Sequence, residues 1–217
     1  MESIALWAYE IVITWKQDGS VKDVNHRIHD DFCSIRQTHS TTLVSLEEEV
    51  RWWQEHREWD SLITKHIPIG VYTTDCLPII ICWKDLYAAV HGSWKTLHAG
   101  LVQTTVKNLC RQGEEFIDID VFIWPSISWA VYEVGEEFYE LFPHEVLVER
   151  DSKLYLDLRH YTKNILLDLW IDENKILFHK ACTYTDNDQY FSWRRWETGR
   201  NFTGVRKKRQ SDETTKR

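Results

Sequence analysis

The chain of 217 residues carries 34 acidic and 26 basic side chains, which gives a formal net charge of -8. Its 43% hydrophobic residues and twelve tryptophans can build a substantial core, which excludes a disordered, collagen-like or coiled-coil protein. An acidic surface does not concentrate nucleic-acid phosphates, so the charge argues against DNA or RNA as a partner. We expect one globular domain.

The cysteines and the apolar runs bear on the compartment. Five cysteines without regular spacing predict free thiols rather than a disulfide scaffold. The first residues, MESIALWAYE, lack the basic start and long apolar centre of a secretion signal, and no apolar run reaches the length of a membrane span. These features predict a soluble protein of the reducing cytoplasm with no membrane partner.

Two elements are predicted in the N-terminal third. Residues 4–22 form two β-rich runs around Asp18-Gly19, a pair that favours a hairpin turn because glycine accepts positive φ. Residues 45–63 predict a partly exposed helix, with Ser45 as its N-cap and acidic residues in its first turn. We therefore expect the chain to open with a hairpin.

The middle of the chain predicts a strand, a turn, a second strand and a helix. Two short apolar runs within residues 69–91 flank Lys84-Asp85, whose polar side chains suit a turn between paired strands. Apolar residues then recur at helical spacing over residues 97–109, and Gly113 provides a C-terminal stop.

Strands and helices alternate through the C-terminal half. We predict strands within residues 117–124 and 175–182, and helices within residues 132–142 and 156–170. Residues 206–217 hold six basic side chains and no apolar one, so we expect a solvated, basic tail after a domain spanning residues 1–205. Contact with nucleic acid or an anionic surface is the alternative role for that tail.

Cys76 and His91 lie at the ends of two strands joined by a short turn, so their side chains can meet. Thiolate and neutral imidazole are preferred zinc donors, and a catalytic zinc site uses three protein ligands. His39 is a candidate for the third ligand, but spacing alone favours a buried thiol beside a satisfied core histidine. The other candidates for the third position are His26, His29, His66 and His98.

The same residues permit a second chemistry. Cys76 can be a nucleophile activated by His91 or His39, with Asp75 orienting the imidazole, because the attacking thiolate needs a neighbouring base or cation. A metal-bound sulfur is a poor free nucleophile, so the two interpretations largely exclude each other. A metal assay separates them.

The segment CTYTDNDQYFSWRRWETGR forms a third cluster. Its Arg194, Arg195 and Arg200 can hold a phosphate or carboxylate through guanidinium forks, although surface ion pairing is the commoner role. Ser192 and Thr198 add hydroxyl groups to this cluster. The aromatic residues beside it can stack on a base or pack in the core. They are Tyr190, Phe191 and Trp193.

Seven short motifs occur in the order found in one known family. They are QTH at 37–39, TTDCLP at 73–78, HGSWKT at 91–96, YEVG at 132–135, CTY at 182–184, FSWRR at 191–195 and TGR at 198–200. The chain therefore resembles the YfiH/laccase-domain family, also called the peptidoglycan-editing-factor or multicopper-polyphenol-oxidase-like family.

The resemblance implies a single α+β domain, an α/β/β/α sandwich of mixed sheets. It implies that His39, Cys76 and His91 bind Zn2+, and a His/Cys/His site suits zinc without redox chemistry. Family members are associated with purine nucleoside phosphorolysis, with adenosine deamination and with correcting misincorporated residues in peptidoglycan precursors.

Our leading hypothesis is a zinc-dependent purine nucleoside phosphorylase with adenosine deamination as a further activity. Lys95, Arg194 and Arg195 are candidates to hold phosphate against C1′ of the ribose. Lys95 replaces a family arginine, which keeps the charge but loses the bidentate fork. Asp75 is a candidate to orient a ligand or accept a proton.

Two alternatives remain. One is a thiol hydrolase or amidase that edits peptidoglycan precursors, with Cys76 as nucleophile and His91 as base. The other is a degenerate binding protein that keeps zinc for stability, since the family's Asn-Leu-Gly element has no counterpart before His39.

Overall fold

The computed structural model describes residues 2–6, 8–18, 32–34, 36–46, 58–110 and 118–208. These residues form one mixed α+β domain, as predicted. The strands, in chain order, are β1 (Glu2–Leu6), β2 (Tyr9–Ile13), β3 (Cys33–Ser34), β4 (Leu43–Leu46), β5 (Ser61–Thr64), β6 (Ile69–Thr73), β7 (Leu77–Trp83), β8 (Leu86–Gly92), β9 (Asp120–Ile123), β10 (Glu133–Val134), β11 (Leu147–Arg150), β12 (Lys153–Leu156), β13 (Ile176–Phe178) and β14 (Asn201–Lys207). The α-helices are α1 (Trp94–His98), α2 (Leu101–Leu109), α3 (Phe138–Leu141) and α4 (Leu158–Asp168).

The strands form two large mixed sheets and one small sheet. The larger has the order β13-β9-β7-β8-β5-β4, the second has the order β1-β2-β14-β6-β3, and the small sheet has the order β10-β12-β11. β7 and β8 pair antiparallel around Lys84-Asp85, which confirms the predicted turn. In the second sheet, β14 lies between β2 and β6 and pairs antiparallel with both.

Side-chain alternation along β7 divides the core into two layers. Ile79 and Ile81 pack with α2 and α4 on one face, whereas Ile80 and Cys82 face the five-stranded sheet on the other. Each fully buried aliphatic side chain stabilises the fold by about 1.5–3 kcal/mol. The sequence of β7 is apolar throughout because both faces of this central strand are covered.

The helices cover one face of the six-stranded sheet and the five-stranded sheet covers the other, an α/β/β arrangement. The outer face of the five-stranded sheet carries a small cluster of Val12, Phe32 and Phe202. A helical layer against that face, the fourth layer of the predicted sandwich, is not among the described residues. No helix in the described part of the chain is long and apolar enough to cross a lipid bilayer.

The predicted opening hairpin is confirmed, but the position of its turn and the start of the next predicted helix are wrong. The hairpin turns between Leu6 and Tyr9, so β1 and β2 share the run that the prediction assigned to one strand. Asp18 instead ends a short 3-10 segment, where its carboxylate accepts a hydrogen bond from the Trp15 amide at 2.8 Å. Ser45 lies in β4 rather than at a helix N-cap, because β4 pairs in parallel with β5. The middle of the predicted helix, residues 47–57, lies outside the described residues.

Later elements follow the prediction with two changes. The helix predicted from residue 97 onward is divided into α1 and α2 at Gly100, which takes a φ of +82° that other residues rarely adopt. Only α3 forms a helix within residues 132–142, since Glu133 and Val134 pair with β12. The strand near residue 120, α4 and β13 are confirmed. β14 continues through Lys207, two residues past the expected end of the domain.

Candidate metal centre

A pocket of about 520 Å³ opens where β6 and β8, one strand from each large sheet, come together. Thr73 and His91 lie at the ends of these strands on the faces that line the core between the sheets. The pocket therefore lies at the edge of the core that is packed between the two large sheets. Its lining residues are Gln37, His39, Tyr72, Thr73, Thr74, Cys76, His91, Trp193 and Arg200.

Three of these side chains form the ligand set that the resemblance implied. His39 lies in the loop before β4, Cys76 in the turn between β6 and β7, and His91 near the end of β8. One potential ligand atom from each residue lies within 4.8 Å of the other two. The two imidazole rings stand nearly edge to face, with centroids 4.8 Å apart. Of the other candidate histidines, His66 and His98 lie outside this group, and two fall outside the described residues.

The turn between β6 and β7 directs adjacent side chains to different partners. Asp75 has a φ of +84°, and its carboxylate accepts hydrogen bonds from the Thr183 hydroxyl at 2.7 Å and the Arg194 amide at 2.9 Å. Cys76, the next residue, lines the pocket. The contacts of Asp75 thus hold the segment 183–194 beside the pocket, and its predicted catalytic role stays a prediction.

Asp60 is a buried carboxylate beside the ligand set that sequence reasoning missed. Its Oδ1 lies 2.6 Å from Nδ1 of His91. Burial disfavours the charged imidazole, but hydrogen bonds to Asp60 and Cys76 outweigh it and raise the pKa of His91 to about 9. Burial likewise opposes ionisation of Asp60, and hydrogen bonds from His91 and Ser40 nevertheless lower its pKa. The residue lies 31 positions from His91 and belongs to none of the seven motifs, so no sequence signal marks it.

The thiol of Cys76 is poised to ionise near neutral pH. Burial opposes ionisation, but hydrogen bonds to His39 and His91 outweigh it and lower the pKa of Cys76 to about 7. Burial alone raises the pKa of Cys33 to about 12. All five cysteines are free, as predicted. Cys76 is therefore prepared chemically either to bind a metal ion or to attack an electrophile.

The donor set fits a zinc ion. Two imidazoles and one thiol are preferred zinc ligands, and catalytic zinc sites use three protein ligands. A His2Cys set can also hold copper when a weak axial donor such as methionine completes it. The only methionine of this chain is Met1, and the amide of Gln37 is bonded at both ends to the backbone of Tyr72.

The three cationic residues predicted to hold phosphate have other contacts. Lys95 is exposed on α1, with its ammonium 5.5 Å from the ring centroid of Trp94. Arg194 stacks 4.9 Å from the ring centroid of Tyr132 and donates to a backbone carbonyl. Arg195 donates to three backbone carbonyls and to Glu197. None of the three lines the pocket as described above, and their phosphate role stays a prediction.

Arg200 is the arginine that lines the pocket. One of its terminal nitrogens donates to the carbonyls of Thr198 and Gly199 at 3.1 and 3.0 Å, which anchors the guanidinium at the pocket wall. Trp193 also lines the pocket and is 55% exposed, whereas Tyr190 is buried in the core. The hydroxyl of Thr73 is buried in the wall without a hydrogen-bond partner among the described residues. The pocket thus combines a cation and an open aromatic face.

Comparison with known proteins identifies the family of this chain. The family model described as multi-copper polyphenol oxidoreductase laccase matches residues 20–208. A purine nucleoside phosphorylase of Aquifex aeolicus is 39% identical over 128 residues, which is 58% of this chain and 60% of that protein. Adenosine deaminase RL5, from an unknown prokaryotic organism, is 29% identical over 82% of this chain and 76% of its own. The match thus spans less than two thirds of the Aquifex protein.

Solved structures share the fold. The hypothetical protein YfiH of Bacillus licheniformis has a TM-score of 0.81 with 19% identity, over 91% of this chain and 92% of its own. YlmD of Geobacillus stearothermophilus has a TM-score of 0.81 with 20% identity, over 93% of each chain. At these identities the structures support the architecture alone. Because the family model covers most of the sequence, the chain belongs to the YfiH/laccase-domain family.

Proposed function

We propose that this protein is a zinc-dependent purine nucleoside phosphorylase with adenosine deamination as a further activity. The observation that carries the proposal is the convergence of His39, Cys76 and His91 on one pocket with Arg200 and Trp193. The names of the relatives from Aquifex aeolicus and the unknown prokaryote support the same two activities.

The ligand set would supply the metal-dependent part of the chemistry. Zinc in such a site acts as a Lewis acid and makes water nucleophilic near neutral pH. His39, Cys76 and His91 would hold the ion, and all three line the pocket where a substrate would bind. Deamination of adenosine needs that water, whereas phosphorolysis needs phosphate as the attacking group.

Arg200 would hold the phosphate. Phosphorolysis breaks the bond between C1′ and the purine nitrogen, forms a bond from C1′ to a phosphate oxygen, and returns a proton to the departing purine. A guanidinium anchored at the wall can hold the anion in line with C1′ through charge-assisted hydrogen bonds, which lowers the entropic cost of the encounter. Lys95, Arg194 and Arg195 have the contacts described above, so Arg200 replaces them as the first residue to test.

The purine would stack against Trp193. An indole that is half exposed at a pocket wall offers an apolar face of the size of a purine, and such stacking contributes about 1–3 kcal/mol per base.

The proposed compartment is the cytoplasm. A thiol that ionises near neutral pH and serves as a metal ligand must stay reduced, and all five cysteines are free.

Product analysis with the purified, tag-free protein tests the proposal. The protein would be incubated with adenosine or inosine, with and without phosphate, and the products would be separated by chromatography. Adenine or hypoxanthine formed only with phosphate supports phosphorolysis, and inosine formed from adenosine without phosphate supports deamination. If zinc-loaded protein forms no free purine base and no inosine from adenosine, the proposal is overturned.

A pair of arginine variants tests the phosphate site. Arg200→Ala should lower phosphate-dependent turnover about ten- to a hundredfold, because charge-assisted hydrogen bonds to the anion are lost. Arg150→Ala is the control, since that guanidinium also donates to a backbone carbonyl but does not line the pocket. If the two variants have equal phosphate-dependent turnover, Arg200 does not hold the phosphate.

The lowered pKa of Cys76 favours one competing function, a thiol hydrolase or amidase acting on a cell-wall precursor. In that case the thiol attacks the substrate carbonyl, and His91 accepts or returns the proton. Alkylation by iodoacetamide distinguishes the two functions: zinc should protect Cys76 if the site binds metal, whereas a catalytic thiol reacts rapidly in protein shown by elemental analysis to be metal-free.

A further inference from the structure

Asp60 lies at the centre of the hydrogen-bond network around the ligand set without reaching the pocket. It precedes β5 directly, and its side chain is fully buried. A buried carboxylate is stable only when its oxygens are hydrogen-bonded. Its donors come from two separate segments of the chain, the loop that carries His39 and the end of β8 that carries His91.

Two hydrogen bonds fix His91 to Asp60. Oδ1 of the carboxylate lies 2.6 Å from Nδ1 of the ring, and the backbone amide of His91 donates to the Asp60 carbonyl at 2.8 Å. A proton held at Nδ1 leaves Nε2 as the free donor atom of the imidazole. The contact with Asp60 therefore orients the ring and leaves Nε2 as the nitrogen that would bind a metal ion.

The same carboxylate holds the loop of His39. It accepts hydrogen bonds from the backbone amides of Thr38, His39 and Ser40 at 3.3, 3.2 and 2.6 Å, and from the Ser40 hydroxyl at 3.0 Å. His39 itself has a φ of +60°, a left-handed conformation that costs a residue with a side chain about 1–2 kcal/mol. Because His39 is exposed, core packing does little to hold it, and these bonds to Asp60 compensate for its strained backbone.

We propose that Asp60 is the positioning residue that sets the placement of His39 and His91 relative to each other, and thereby the affinity and geometry of the metal site. This inference rests on the proposed function only in that the site binds a metal ion. Asp60 neither lines the pocket nor belongs to the three candidate ligands, so it would act through the two histidines.

Metal affinity of the Asp60→Asn variant tests the proposal. Asparagine keeps the shape but replaces one acceptor oxygen with an NH2 group, which cannot accept from the loop amides or from His91. Competition with a chromophoric chelator should show zinc affinity about 10- to 100-fold lower than in the unmodified protein. Asp157→Asn is the matched control, because Asp157 also accepts a backbone hydrogen bond, at the start of α4, and lies in another element.

The cobalt spectrum separates positioning from general stability. Co2+ in a site with one thiolate and two imidazoles absorbs through ligand-field and thiolate charge-transfer bands that depend on ligand geometry. A folded, cobalt-loaded Asp60→Asn protein should show shifted and weaker bands, whereas Asp157→Asn should match the unmodified protein. A role in folding alone would lower the melting temperature without changing the spectrum of the loaded protein.

The outcomes distinguish this inference from the proposed function. If the unmodified protein binds no zinc or cobalt, the metal site itself is wrong. If it binds zinc and Asp60→Asn binds equally tightly with an unchanged cobalt spectrum, only the positioning role is overturned. If Asp60→Asn does not fold, Ser40→Ala takes its place, because it removes one hydrogen bond from the carboxylate and leaves Asp60 present. That variant should bind zinc about fivefold more weakly, and unchanged affinity would overturn the proposal.

Discussion

Arg195 should matter more for the stability of the fold than for substrate binding. Its guanidinium donates to the carbonyl of Thr183 at 2.5 Å, to that of Tyr190 at 2.6 Å, to that of Tyr184 and to the carboxylate of Glu197 at 2.7 Å. The side chain is 16% exposed. Arg195→Ala would therefore leave several partly buried acceptors without their donor and loosen the segment that forms one wall of the pocket.

The magnitude follows from these four bonds. A hydrogen bond to a charged group contributes about 1.5–3 kcal/mol, but bonds from one side chain do not add, and a loss above about 4–5 kcal/mol is exceptional. We expect Arg195→Ala to lower the free energy of unfolding by about 2–4 kcal/mol, since water can reach part of the vacated space. For a domain of this size, that corresponds to a fall in Tm of about 5–15 °C.

Differential scanning calorimetry of the metal-free and zinc-loaded protein measures the change. Arg194→Ala is the control for stability, because the exposed neighbour stacks on Tyr132 and donates to the backbone once, and it should lower the free energy of unfolding by at most about 1 kcal/mol. Arg195→Lys should restore part of the loss. If Arg195→Ala melts within about 2 °C of the unmodified protein while phosphate-dependent turnover falls, the reasoning is refuted and Arg195 belongs to the phosphate site.

Zinc affinity should fall as the pH is lowered from about 9 to 6, because protons on His91, with a pKa of about 9, and Cys76, with a pKa of about 7, compete with the metal. Chelator competition should show up to about a tenfold loss per pH unit for each displaced proton, and affinity independent of pH would contradict this. Gly70→Ala should destabilise the protein by about 1–3 kcal/mol in urea, since its Cβ would stand 2.3 Å from a buried aromatic ring; an unchanged midpoint would refute the steric argument. Deleting residues 209–217 should leave Tm unchanged. Deleting residues 206–217 should lower Tm, because it removes the end of β14 and its ion pair with β2. Equal Tm values for the two truncations would show that the end of β14 does not stabilise the fold.

The central strands could be predicted from the sequence because their pattern reflects burial alone. β7 is apolar throughout, since both of its faces are covered, and a polar pair marks the turn into β8. The edge elements could not be predicted as well. Ser45 precedes three acidic residues and resembles an N-cap, yet parallel pairing with β5 places it in a strand. Tertiary pairing overrides local propensity at such positions.

The candidate site shows the same limit. His39, Cys76 and His91 were identified through motifs, and the structure places them together, but their spacing alone favoured a core thiol. Arg195 and Arg200 belong to the same motif block and look equivalent in sequence. The three-dimensional structure distinguishes them: the guanidinium of Arg195 donates to backbone carbonyls, whereas Arg200 lines the pocket.

The position of β14 constrains how the molecule can be synthesised. This strand is translated after every other described strand, yet it lies in the interior of its sheet and separates β2 from β6. Until it leaves the ribosome, both neighbours present unpaired backbone edges, which are templates for association with other chains. Arg200 directly precedes this strand, so the pocket wall closes only after this part of the chain has been synthesised. Ribosome-bound chains that end before β14 should therefore need chaperones, and a circular permutant that begins with β14 should be released from that requirement.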